Sequence, residues 1–257
     1  MTGWSPTPSE RVSEYVQRIL VIEHASVTAP FTLPLYANGT PTLLFQTCKG
    51  KIGGQSNHLT LFGQTVFPEA LTLSDNFTLI AYFFHPYALY SLFGLSPQEL
   101  TDNPVDLQLI TAVKAKALQE QLLNASTTVA MIDLIDDFVQ GLTVRIKTDI
   151  ALVRFATAAI ARDPLRGVED MAAQDLHLTK RTFMRLFEKQ VGILPNQYRR
   201  IVQFDAAFRQ LQSRRFDKLS DIAFAHGYAD QSHFIRAFKE FTTITPKDYE
   251  KLMGPRR

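Results

Sequence analysis

The stretch SHFIRAFKEFTTITPKDY, Ser232 to Tyr249, has a near twin upstream in RTFMRLFEKQVGILPNQY, Arg181 to Tyr198. At an offset of 51 residues Phe183 falls on Phe234, Arg185 on Arg236 and Phe187 on Phe238. Further on, Ile193 meets Ile244, Pro195 meets Pro246 and Tyr198 meets Tyr249. The likeness extends backward, with Asp170 on Asp221, Ala172 on Ala223, and Val168/Leu219 and Met171/Ile222 similar in type. Each copy reads as a short helix, a turn and a second helix. The phenylalanine pairs stand at i, i+4 and define a core-facing side. That leaves Arg181, Thr182 and Arg185, and likewise Ser232, His233 and Arg236, on the solvent side. Thr179 and Asp230 occupy N-cap positions, where first-turn N–H groups are available to a phosphate oxygen.

A short helix crossed by a polar-faced second helix is the helix-turn-helix arrangement, which lays the second helix in the major groove of DNA. Between the copies the sequence predicts a long helix from Pro195 to about Gln212, ~27 Å in length at 1.5 Å per residue. Proline suits its first position, and Ile201, Phe204, Phe208 and Leu211 give it a buried face. Successive major-groove faces lie roughly 34 Å apart, a span that such a linker bridges. The duplication then answers to the repeat of the DNA helix.

Charge divides the chain in the same way. Residues 1–150 carry 8 Lys/Arg and 13 Asp/Glu, a net of −5, whereas residues 151–257 carry 19 and 12, a net of +7. A basic half beside an acidic one fits a part that meets a polyanion and a part that does not. The single Cys48 excludes a disulfide framework and a cysteine-rich zinc site. No basic segment followed by an apolar run opens the chain, so no signal peptide is expected. The longest apolar-leaning run, FTLIAYFFHPYALYSLFGL, is broken by His85 and Pro86, so no membrane span is expected and a reducing cytoplasm fits best.

Residues from about 150 to 252 resemble the DNA-binding domain of AraC/XylS-type transcriptional regulators. The segment LSDIAFAHGYADQSHFIRAFKEFTTITPKDYEK carries the family's Ile-Ala, Gly-Tyr, Ser-x-Phe-x-Arg-x-Phe-Lys and Thr-Pro-x-x-Tyr spacing. One departure is Thr243, where the family usually has Gly; a left-handed backbone there suits Thr poorly. The resemblance implies double-stranded DNA as partner. It puts base contacts at Arg181, Thr182, Arg185, Ser232, His233 and Arg236, with Met184 placed to touch a thymine methyl. Thr179, Lys180, Arg199, Arg200, Gln231 and Lys239 are the candidates for phosphate. RNA polymerase is a further candidate partner.

The first hundred residues favour strands. Arg18–Val27, Pro41–Thr47, Leu59–Phe67 and Phe77–Phe84 are β-branched or aromatic runs bounded by Gly, Pro, Asn or Asp. Their spacing suggests a small barrel or sandwich. Two helical stripes follow. One runs through Ile110, Val113, Ala117, Leu118 and Leu122, the other through Met131, Leu134, Ile135, Phe138 and Leu142; they pack on the barrel or on a second subunit. This half resembles the cupin-like sensor region of a subgroup of the same regulators, which implies a small barrel that binds an effector, a partner or nothing, and helices that mediate a homodimer.

The fold expected is therefore α+β in two domains: residues 1–145, a β-rich cupin-like sensor and dimerisation domain with C-terminal helices, and residues 146–257, the double helix-turn-helix domain. Phe45, Phe62, Tyr82 and Phe84 are candidates to line an effector pocket, with barrel filling as the alternative. No cofactor and no metal is expected: His24, His58 and His85 lack the His-x-His spacing of a cupin metal centre, and no phosphate loop or nucleophile elbow is present. An enzyme is therefore not expected. Two alternatives from other classes are a cupin-type enzyme and a DNA-repair protein, each fused to this kind of DNA-binding domain; the second needs clustered cysteines.

Overall fold

The computed structural model describes residues 1–110, 112–143 and 150–254. The boundary expected between residues 145 and 146 lies outside the described residues, and so does the side chain of Val113.

Eight antiparallel strands form the first half: β1 (Thr2–Trp4), β2 (Val16–His24), β3 (Phe31–Leu35), β4 (Thr42–Ile52), β5 (Gln55–Phe62), β6 (Glu69–Leu73), β7 (Phe77–Phe84) and β8 (Val105–Asp106). Their order is β1-β2-β7-β4-β5-β8, with β6 joined to the far end of β4 and β3 joined to β6. β4 is the pivot. Its register breaks between Phe45 and Gly50, so its first half pairs with β7 and β5 while its second half reaches β5 and β6. Such an irregularity bends a strand, and the sheet curls into an open barrel. Pro34 sits in β3, which pairs only with β6; a residue without an N–H is tolerated on such an edge.

Both faces of this sheet are apolar. Ile22, Leu44, Phe62, Leu71, Leu79 and Ala81 fill the interior. The alternate residues Leu43, Phe45, Leu59, Tyr82 and Phe84 join a second, larger core on the outside. Helices cover that outer face: α1 (Ala88–Phe93), α2 (Leu107–Ile110), α3 (Ala112–Asn124) and α4 (Thr128–Thr143). Phe84 meets Phe93 edge-on at 6.1 Å, and Phe93 meets Phe138 at 6.5 Å. The expectation that Phe45, Tyr82 and Phe84 line a pocket is corrected by this placement. All three are fully buried on the helix side; only Phe62 of the four borders a cavity.

The stripe of α4 packs on this sheet as one of its two readings held: Met131, Ile135 and Leu142 are buried, and Leu134 and Phe138 lie partly so against the core. Among them sits a buried carboxylate, Asp136, which accepts hydrogen bonds from Tyr82 Oη (2.8 Å) and Ser9 Oγ (2.6 Å). Next to it Arg11 pairs with Asp137 at 2.6 Å, so the chain's first turns are clamped to α4.

The second half is helical: α5 (Ala151–Arg162), α6 (Val168–Gln174), α7 (Lys180–Val191), α8 (Pro195–Ser213), α9 (Leu219–Ala225), α10 (Gln231–Thr242) and α11 (Pro246–Leu252). Phe204 and Phe208 of α8 meet Phe238 and Phe241 with ring centroids 4.8–5.8 Å apart. Phe187 of α7 stacks toward Tyr198 near the start of α8. Among the described residues no helix is long and apolar enough to cross a membrane.

The twin helices α7 and α10 end alike, on a left-handed residue whose N–H closes onto the helix. In α7 this is Gly192 (φ 96°) and in α10 it is Thr243 (φ 67°). A β-branched residue is strained there, by roughly 1–2 kcal/mol, while glycine costs somewhat more entropy on folding. Thr243→Gly is therefore expected to stabilise the protein by about 0.5–1 kcal/mol, read as a higher midpoint in urea; a lower midpoint would mean that the hydrogen bond from Thr243 Oγ1 to the Thr242 carbonyl outweighs the strain.

Candidate nucleic-acid interface

In the first unit α6 crosses α7 after five intervening residues, 175–179, and in the second α9 crosses α10 after 226–230. Each second helix starts on the cap its sequence promises. Thr179 Oγ1 accepts from the Thr182 N–H at 3.3 Å, and Asp230 Oδ1 accepts from the His233 N–H at 2.7 Å. These bonds occupy one first-turn donor apiece and leave others exposed. Phe183 and Phe187, and Phe234 and Phe238, are all within 1% of full burial. Their burial fixes the rotation of each helix about its axis.

That rotation exposes Arg181, Thr182 and Arg185 on α7 and Ser232, His233 and Arg236 on α10. Arg181, Arg185 and Arg236 form no ion pair with another described residue. His233 stands edge-on to Tyr228 at 5.2 Å, with Nδ1 toward the Ala229 N–H. Met184 is half-buried beside these residues.

The residues expected at phosphate divide into two groups. Gln231 and Lys239 are exposed on α10, free of ion pairs among the described residues. The other four already have partners: Thr179 as the cap of α7, Lys180 with Glu169, Arg199 with the Pro164 carbonyl at 3.1 Å, and Arg200 with Glu240 at 2.6 Å. Arg200 thus ties α8 to the second recognition helix.

Contacts between the halves of the chain were not legible in the sequence. The C-terminal end of α7 packs on α1: Lys189 Nζ lies over the Tyr90 ring at 5.5 Å, and Thr101 Oγ1 donates to the Gly192 carbonyl at 3.3 Å. Elsewhere Tyr36 meets Phe208 edge-on at 5.4 Å and Glu14 pairs with Arg154 at 3.4 Å. Between the open end of the barrel and α8 lies a cavity of about 390 Å³. Leu33, Leu44, Phe62 and Leu79 form its barrel wall, with Phe208 opposite; Arg18, Asp205 and Arg209 are its charged groups. The Arg18 guanidinium lies 4.0 Å from the centre of the Phe83 ring, and burial, with Arg209 nearby, lowers its pKa. Asp205 pairs with Arg209 at 2.7 Å, yet burial pushes its carboxyl above the ordinary range.

The three barrel histidines are apart. His24 packs on Phe31 and Phe77, His58 Nδ1 faces the Gln46 carbonyl, and His85 stacks on Tyr87. Among the described residues no group of three or more His, Cys, Asp or Glu side chains is arranged to hold a metal.

Two crossed helix pairs, each offering an exposed basic face and joined through one rigid helix, define a tandem helix-turn-helix module. Residues 172–252 match the helix-turn-helix domain family, and residues 5–106 match a domain family of unknown function, DUF6597. An uncharacterised HTH-type transcriptional regulator of Haemophilus influenzae is 25% identical over 161 residues, 59% of this chain and 54% of that one. The HTH-type transcriptional activator RhaS of Klebsiella pneumoniae is 34% identical over 80 residues, 31% of this chain and 28% of that one. This chain thus spans about half the length of the first of these relatives and less of the second. In structure it resembles ToxT of Vibrio cholerae, with a TM-score of 0.52 over 92% of this chain and 98% of that chain at 13% identity, a likeness of fold. Over residues 172–252 the chain is thus similar to helix-turn-helix domains.

At Gly192 an added Cβ would come within 2.7 Å of the Pro97 carbonyl oxygen, on a backbone already left-handed. Gly192→Ala is expected to destabilise the protein by about 2 kcal/mol or more. It should also raise proteolytic cleavage between the two halves, where Thr243→Ala leaves cleavage unchanged.

Proposed function

We propose that this protein is a sequence-specific, DNA-binding transcription regulator that sets α7 and α10 in successive major grooves. Residues 1–145 form its sensor and dimerisation domain and residues 146–257 its DNA-binding domain, at work in the bacterial cytoplasm. One observation carries the reading: two capped helices, rotated by their buried phenylalanines, present unpaired arginines on either side of a single 19-residue helix. Arg181, Arg185 and Arg236 fork onto guanine O6 and N7, and Thr182, Ser232 and His233 add single hydrogen bonds. Gln231, Lys239 and the first-turn N–H groups hold phosphates and set the register. Genomic DNA affinity selection with the full-length protein tests this. The expected product is a motif of two short boxes about one helical turn apart; random sequence would overturn it.

The cavity between barrel and α8 supports control by an effector. Leucines and phenylalanines of the barrel form an apolar wall, and the cavity sets two guanidinium groups, Arg18 and Arg209, against one carboxylate, Asp205. The surplus positive charge matches a small amphipathic carboxylate with its head at the arginines and its body in the barrel. Because one wall belongs to the sensor sheet and the other to α8, occupancy favours one arrangement of the two halves over others. A homodimer and contact with RNA polymerase complete the proposal.

Arg185→Ala and Arg236→Ala are each expected to cost about 1–3 kcal/mol in specific binding and to relax the preference at one base position; an unchanged preference in both variants refutes the base-reading roles. A calorimetric panel of aliphatic and aryl carboxylates against their matching alcohols is expected to show carboxylates alone binding. Arg18→Ala should weaken them about tenfold. Equal binding of alcohols would remove the charge argument.

A further inference from the structure

Between α8 and the second helix-turn-helix unit lies a cleft of about 650 Å³. Arg199 and Arg200 of α8 form one wall; Tyr228 and Glu240 of the second unit form the other, with His233 and Arg236 lining it from the recognition helix. Three guanidinium groups therefore face one carboxylate. Arg199 spends one donor on the Pro164 carbonyl, Arg200 is held by Glu240, and Arg236 has no ion pair among the described residues. Each guanidinium carries five donors, so Arg199 and Arg200 keep most of theirs unspent even with Arg236 committed to its base.

Tyr228 supplies an independent sign of a ligand. It is 4% exposed, and its hydroxyl is buried without a hydrogen-bond partner. Its ring is fixed by Phe234 at 5.3 Å and His233 at 5.2 Å, packing that a phenylalanine would reproduce without burying a polar atom. The hydroxyl feels the charges of both Arg200 and Glu240, and burial raises its pKa, so it remains a proton donor at neutral pH. A donor-rich, acceptor-poor recess of this kind suits an oxyanion with several lone pairs.

A third element borders the cleft. Leu165, from the loop leading into the first unit, sits so close to Gly227 that a Cβ there would meet its Cδ2 at 2.1 Å. Whatever enters therefore lies between α8 and the second unit, beside α10. We propose that the cleft is a phosphate site, filled by one backbone phosphate of the DNA between the two boxes. Arg199, Arg200 and the Tyr228 hydroxyl hold it, and Glu240 releases Arg200 as it enters. This rests on the DNA-binding reading above and deepens it: a single anchored phosphate sets the permitted spacing of the boxes. Glu240 lowers affinity for unpositioned DNA, since any phosphate must displace it.

The test uses the full-length protein and its selected operator, remade as a set of duplexes in which one phosphate at a time is a neutral methylphosphonate. One inter-box position is expected to weaken wild-type binding about tenfold when neutralised, the size of one charge-assisted hydrogen bond. At that position Tyr228→Phe should lose the sensitivity, and so should Arg200→Ala. Tyr228→Phe keeps the packing, and an unchanged melting temperature checks this. Glu240→Gln should bind non-operator DNA several-fold more tightly than wild type. A scan with no sensitive inter-box phosphate overturns the proposal, as does equal sensitivity in Tyr228→Phe. Inorganic phosphate and pyrophosphate, compared with chloride at matched ionic strength on the DNA-free protein, separate the other source. If they raise the melting temperature of wild type but not of Tyr228→Phe while the scan is flat, the cleft serves a diffusible anion and the DNA assignment falls. Failure of the whole DNA-binding reading looks different, because then no operator is selected at all.

Discussion

Burial of Phe183 and Phe187 in one unit, and of Phe234 and Phe238 in the other, is the constraint on which the remaining geometry depends. Each pair sets the rotation of its helix, and that rotation decides which side chains reach outward. Phe204 and Phe208 of α8 receive Phe238 of the second pair, while Tyr198 of the same helix receives Phe187 of the first. One helix is thus the reference for both reading heads. Apolar contacts carry no directional preference, so the orientation is sharpened by polar ties. Arg200 to Glu240 joins α8 to α10, and Gln203 donates to the His226 carbonyl in the turn of the second unit at 2.7 Å.

Packing continues into the β-rich half. The sheet is apolar on both sides, so it can hold an interior cavity and still pack outward on helices. α1 stands between the outer face of that sheet and the end of α7, touching Phe84 on one side through Phe93 and Lys189 on the other through Tyr90. A chain of packed groups thus runs from strand β7 to the first recognition helix. The cavity wall at Phe208 offers a second path, through α8. Neither path needs a flexible joint, because both are made of side chains already in contact.

The helical half was largely legible in the sequence because its repeat is a two-copy alignment within one chain. The offset of 51 exposed the buried phenylalanines, the caps at Thr179 and Asp230 and the long helix from Pro195, which ends one residue beyond the expected Gln212. The left-handed Thr243 was legible from the resemblance instead, as a departure from the usual Gly. Strands were harder. Phe77–Phe84 was read to the residue, but β3 and β6 were missed, since FTLPL holds a proline and EALTL is short and lightly apolar. The pocket residues Phe45, Tyr82 and Phe84 were misplaced for a physical reason. In a strand buried on both faces, alternation no longer says which side is the interior. Leu44 and Phe45 look equally inward until the covering helices are known. Ties such as Arg199 to Pro164, or α7 to α1, join residues far apart in sequence and leave no local pattern.

The matched turns at Gly192 and Thr243 also bear on how the duplicated units came to differ. In the second copy the turn is open enough for a threonine side chain, at the cost of backbone strain alone. In the first copy the Pro97 carbonyl occupies the space where any side chain would begin. The two units are therefore not interchangeable parts: the second unit's turn, set in the first place, would drive a threonine side chain into the Pro97 carbonyl.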